Sequence, residues 1–132
     1  MRDLPDDLGR YDFVWSSCAL EHLGTMALGE TFVHECLKFL RPGGVAVHTT
    51  EFNLHSDTET ITDGPTILFR RRDIESMAAR LAKRGYRIEV EFAEGDLPAD
   101  RVIDEPPYTH GTHLRVRMDG YVVTSYGLII EG

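Results

Sequence analysis

Residues 11–23 read YDFVWSSCALEHL, and the reading of this stretch decides the fold. Tyr11 to Ser16 is short, aromatic and branched, the composition of a β-strand. It stops in Ser16-Ser17-Cys18, small residues that allow a tight turn. Glu21 and His22 follow, a carboxylate beside an imidazole. In open α/β sheets the carboxyl ends of the strands face the ligand crevice, so this strand end is the first place to look for chemistry.

Working outward, residues 25–40 are expected to form a helix. Leu28, Phe32, Cys36 and Leu40 fall four apart with Val33, Leu37 and Phe39 alongside, giving one apolar stripe. Gly29 weakens its first turns, and Pro42 requires it to end before Arg41. Gly43-Gly44 then turns the chain into residues 45–50, VAVHTT, a strand whose mostly apolar make-up suits cover on both faces, as in a parallel sheet. Strand, helix, strand makes a right-handed βαβ unit.

Residues 51–65 are polar and long for a plain connection, which marks them as a candidate functional loop. A second helix is expected over 73–84, with Asp73 as N-cap, Ile74, Met77, Ala78 and Leu81 as its stripe, and Gly85 as its stop. Residues 86–92, YRIEVEF, alternate as a strand. A loop over 93–112 contains Pro98, Pro106 and Pro107. Residues 114–118 form a weaker strand signal and 121–130, YVVTSYGLII, a strong one. The last two strands are expected to pair antiparallel across the loop.

The 132 residues, 42% hydrophobic, suit a single domain spanning 1–132. No apolar run approaches the ~20 residues of a membrane helix. The opening MRDLPDDLGR, whose residues 3–10 read as a loop, lacks an apolar signal core, so the expected location is cytoplasmic. Two cysteines, Cys18 and Cys36, are too few for a disulfide scaffold. The formal charge of −8 disfavours nucleic acid as a partner. Arg70-Arg71-Arg72 is a local basic exception, read as a solvated stretch before a helix or as an anion contact.

The ordered series Asp12, Leu20-Glu21-His22, the helix, and Leu40-Arg41-Pro42-Gly43-Gly44 into a strand resembles the class I S-adenosylmethionine-dependent methyltransferases. In that family these elements belong to the fourth and fifth strands of a seven-stranded Rossmann-like sheet, which ends in a helix and an antiparallel hairpin. The resemblance covers the chain from about Asp12 onward. It implies an α/β fold: a partial Rossmann-like sheet with a parallel βαβ core and a C-terminal antiparallel hairpin. The family's GxGxG loop and its ribose-binding carboxylate have no counterpart among the 132 residues. The chain therefore resembles the C-terminal half only, as a truncated or split form would.

On this resemblance Ser16, Ser17 and Cys18 would line the methionine end of S-adenosylmethionine, although small residues also serve a simple turn. Glu21 and His22 are the candidates for proton transfer, against the alternative of a helix-entry pair in which His22 bonds nearby backbone. Glu21, His22, Glu51 and His55 together resemble the metal site of RNA 3′-end methyltransferases. Those use an ExxEH pattern, but Cys18 stands where its first Glu belongs, so no metal site is expected. His110 and His113 read as solvated, His34 and His48 as structural.

The expected function is methyl transfer from S-adenosylmethionine to an unidentified acceptor, with cofactor binding weak or absent in this chain. An alternative is a non-catalytic interaction module, and a third reading is a small metal-dependent hydrolase. In the family the first strand pairs with the fourth, so Tyr11 to Ser16 is expected to be a free edge. That edge would drive homo-oligomerisation, exposing Phe13, Val14 or Trp15.

Overall fold

The computed structural model describes residues 4–5, 7–109 and 111–132. Met1–Asp3, Asp6 and His110 lie outside the described residues, and with them part of the expected 3–10 loop. The elements run β1 (Tyr11–Ser16), α1 (Met26–Leu37), β2 (Leu40–Asn53), α2 (Arg71–Lys83), β3 (Arg87–Glu89), β4 (Ile103–Asp104), β5 (Arg115–Met118) and β6 (Tyr121–Glu131). Short 3-10 turns occur at Leu20–His22 and Pro98–Arg101. The result is an α/β domain with a mixed six-stranded sheet, ordered β1-β2-β6-β5-β4, with β3 also pairing β6.

The parallel core expected from the sequence is present. β1 pairs β2 parallel, with Phe13 opposite Val45 and Ser16 opposite His48. β6 runs antiparallel to β2, and its other edge takes β3 near its end and β5 near its start, both antiparallel. β1 is therefore the sheet edge.

Helix α1 is shorter than its stripe predicts. Thr25 is its N-cap, accepting the Leu28 N–H on Oγ1 at 3.2 Å. Gly29 does not delay the helix. A Cβ there would lie 3.0 Å from Phe69 Cζ and 3.1 Å from Leu20 O, so glycine permits close approach. Leu40 satisfies the helical spacing but begins β2, where it is buried. The Pro42-Gly43-Gly44 turn is a bulge within that strand: β1 advances from Tyr11 to Phe13 while β2 advances from Leu40 to Val45. Gly43 sits at φ +77°, and a Cβ on Gly44 would meet the carbonyls of Arg41 and Asp12 at 3.0 Å.

Helix α2 begins at Arg71, and the N-cap is Arg70 rather than Asp73. Asp73 instead reaches back to accept the Arg70 N–H at 2.9 Å. The arginine triplet has structural partners. Arg70 and Arg72 both donate to Thr58 O, and the Arg72 N–H donates to Asp57, tying the polar loop to the helix. Arg71 pairs with Glu75 and lies over the Phe92 ring. The strand expected over 86–92 keeps ladder pairing only at Arg87–Glu89; Phe92 stacks instead with Phe52 and Tyr126.

One core joins α1 (Phe32, Val33, Leu37), α2 (Ile74, Met77, Leu81) and the sheet positions Ala46, Leu128 and Ile130. Alternate strand residues point the other way. There Tyr11, Phe13, Trp15 and Ile129 are exposed, Trp15 by 67%. Val14 belongs to the covered side and packs on the core. Among the described residues no helix is long and apolar enough to cross a membrane.

Candidate functional site at the carboxyl ends of β1 and β2

Because β1 and β2 are parallel neighbours, their carboxyl ends emerge together. Ser16 Oγ and His48 Nδ1 share a hydrogen bond of 2.7 Å. Cys18 N–H donates to Thr49 Oγ1 at 3.0 Å, and that hydroxyl donates to Ser17 Oγ at 3.4 Å. These bonds hold Cys18 at φ +46°, a strained conformation for a residue with a side chain. The thiol itself is exposed.

The 3-10 turn that follows buries Leu20 and Glu21 completely. A buried carboxylate is costly unless its oxygens are satisfied. Glu21 Oε2 accepts from Thr50 Oγ1 at 3.1 Å, whereas Oε1 has no hydrogen-bond partner among the described residues. The next residue, His22, is exposed, and its Nδ1 lies 2.8 Å from Pro65 O. A carbonyl only accepts, so Nδ1 carries a proton and donates in this bond. The helix-entry reading of His22 is thus right about its backbone bond.

Glu51 is half-buried on β2, two residues before its end. Burial is the main cause that raises its carboxyl above the ordinary range; the Glu21 charge adds to it, while His22 and His113 pull it down. Cys18, Glu21 and Glu51 each present a ligand-type atom, and these atoms lie within 4.8 Å of one another.

His55 does not join this group: its ring packs edge-on against Tyr121. His113 does approach it, and is not simply solvated. Its Nδ1 lies 2.7 Å from Oδ2 of the fully buried Asp104. The sequence reading missed Asp104 and Thr50. A Thr-Thr-Glu strand end is a weak signal for Thr50, and nothing local marks Asp104. His34 contacts Glu30 and Arg84 on the surface. His48 is fully buried, with its pKa lowered to about 4 by desolvation.

A hollow of about 460 Å³ lies elsewhere, along Arg87, Glu89, Tyr126 and Ile129, and gathers no comparable set of reactive groups. No protein-family model and no curated protein matches the chain.

Proposed function

We propose that this chain supplies the C-terminal half of an S-adenosylmethionine-dependent methyltransferase sheet. The observation that carries the reading is the parallel register of β1 and β2, which sets Ser16 beside His48, Ser17 beside Thr49 and Cys18 within reach of Glu51 at one sheet end. The order of elements supports it too: a strand ending in SSCALEHL, a helix, LRPGG, a parallel strand, then a helix and antiparallel strands.

The residues present do not fit the whole cofactor. Ser16 Oγ is engaged by His48, Cys18 N–H by Thr49, and no glycine-rich cradle occurs in the sequence. What fits is at most the methionine end, so no transfer step is assigned to this chain alone. Its own groups can position and hold protons: the exposed His22 imidazole, held at Nδ1 by Pro65 O, follows the buried Glu21 in the chain. The proposed acceptor is an oxygen, nitrogen or carbon nucleophile, and the proposed setting is cytoplasmic.

Calorimetry should give a dissociation constant near the millimolar range, about −4 kcal/mol. Under millimolar cofactor, NMR should show shifts at Ser16, Ser17 and Cys18 and none at β3. Micromolar affinity would contradict the half-site, and unmoved resonances at residues 16–18 would remove the methyltransferase reading. A second reading, a non-catalytic assembly module, is favoured by the exposed row Tyr11, Phe13 and Trp15 on an unpaired edge. In either case we propose a second copy of this chain as the partner.

A further inference from the structure

The sequence reading expects no metal, because Cys18 interrupts the ExxEH pattern. The geometry points to a different set: we propose that Cys18, Glu21 and Glu51 bind one divalent transition-metal ion of the zinc class. Two observations carry this independently of the methyl-transfer reading. The first is convergence. The three donor atoms come from the turn after β1, the 3-10 turn and β2, and lie within 4.8 Å of one another. Donors at about 2.0–2.3 Å from a common ion lie at most about 4.6 Å apart, close to the spacing seen here. The second is the orphaned oxygen. Glu21 is fully buried, its Oε2 is used by Thr50, and among the described residues Oε1 has nothing to accept from. A buried carboxylate facing a second carboxylate without a donor calls for a proton or a cation between them.

The donor set selects the ion. A thiolate with two carboxylates suits zinc or cobalt and is foreign to magnesium and calcium, which take oxygen ligands. Binding would release the Cys18 thiol proton to solvent. Three protein ligands leave a position open for water or a substrate oxygen, the arrangement of a reactive rather than a structural zinc site. His22 and His113 are near enough for their charges to act on Glu51, but lie outside the three-atom cluster. Cys36, on the helix side of the sheet, is buried with its thiol raised to about 11 by desolvation and by Glu35, and serves as an internal control.

The test is titration of the metal-stripped full chain with Zn²⁺ and Co²⁺ under reducing conditions. One ion per chain is expected, with a dissociation constant below about a micromolar. The Co²⁺ form should show a thiolate-to-metal band in the near ultraviolet. Cys18→Ala should abolish that band and Cys36→Ala should keep it. Glu21→Gln and Glu51→Gln should each weaken binding at least tenfold. Because Glu21 is buried, circular dichroism must show that its variant folds; if it does not, Cys18→Ala and Glu51→Gln carry the test. Absence of micromolar binding, tighter binding of Mg²⁺ than of Zn²⁺, or Zn²⁺ affinity unchanged in Cys18→Ala would overturn the proposal.

Discussion

The two faces of the sheet are built from the same kinds of residue and meet different fates. On one face Ala46, Leu128 and Ile130 are sealed beneath α1 and α2. On the other, their neighbours Val45 and Val47 are only half-buried and Ile129 is exposed, and the exposed Phe13 and Trp15 continue the apolar row to the edge. Strands with branched residues on both faces belong to sheets covered on both sides. The difference teaches that α1 and α2 cover one face of this sheet, and it is the open face and the β1 edge that the proposed second copy would meet.

Adjacent residues of β6 give the sharpest contrast. Ile130 is fully buried and Ile129 is 52% exposed. Ile130→Ala should cost about 2–5 kcal/mol in urea denaturation, as large-to-small core changes do. Ile129→Ala should cost less than about 1 kcal/mol in dilute solution. Equal losses would show that the open face is already packed within the monomer.

His48, on the covered face, should dominate the acid limb of stability. Its folded pKa, about 4, lies below the ordinary 6.5, so the folded state binds the proton less readily than the unfolded chain. The stability it contributes is present above pH 6.5 and lost as pH falls through 4. The full effect is about 3 kcal/mol. His48→Gln should flatten that limb; an unchanged acid limb would mean that His48 is not buried as described.

How much of this was legible in the sequence differs by element. β1 could be read to its bounds, because an aromatic and branched run ending in small polar residues has one natural interpretation. Leu40 could not be placed, because it fits both the last step of a helical stripe and the first position of a strand. The extension of β2 through Glu51 and Asn53 was hidden by their polarity, since the strand leaves its apolar run before it leaves the sheet. Glu21 and His22 could be picked out as a pair, but not that Glu21 is entirely buried; charged side chains almost never are, and its partner Thr50 is 29 residues away. The Asp104–His113 contact depends on β4 lying beside β5, a short pairing with no sequence signature.

A smaller effect is expected at Glu51 in the metal-free chain. Its folded pKa is raised, so the folded state holds the proton more tightly than the unfolded chain does. Its contribution is present below the ordinary 4.5 and fades as pH rises past its folded value. Glu51→Gln should remove this alkaline-going loss and leave the acid limb set by His48 in place. A steeper loss in the variant would contradict the assigned direction.

Whether the open face and β1 edge receive a second copy is tested most directly by light scattering across a concentration series, with Trp15, the single tryptophan, as an optical reporter. We expect a dimer at high concentration, a blue shift of tryptophan emission on association, and a monomer in Trp15→Lys with its fold intact. A monomer at every concentration, with emission unchanged, would contradict it.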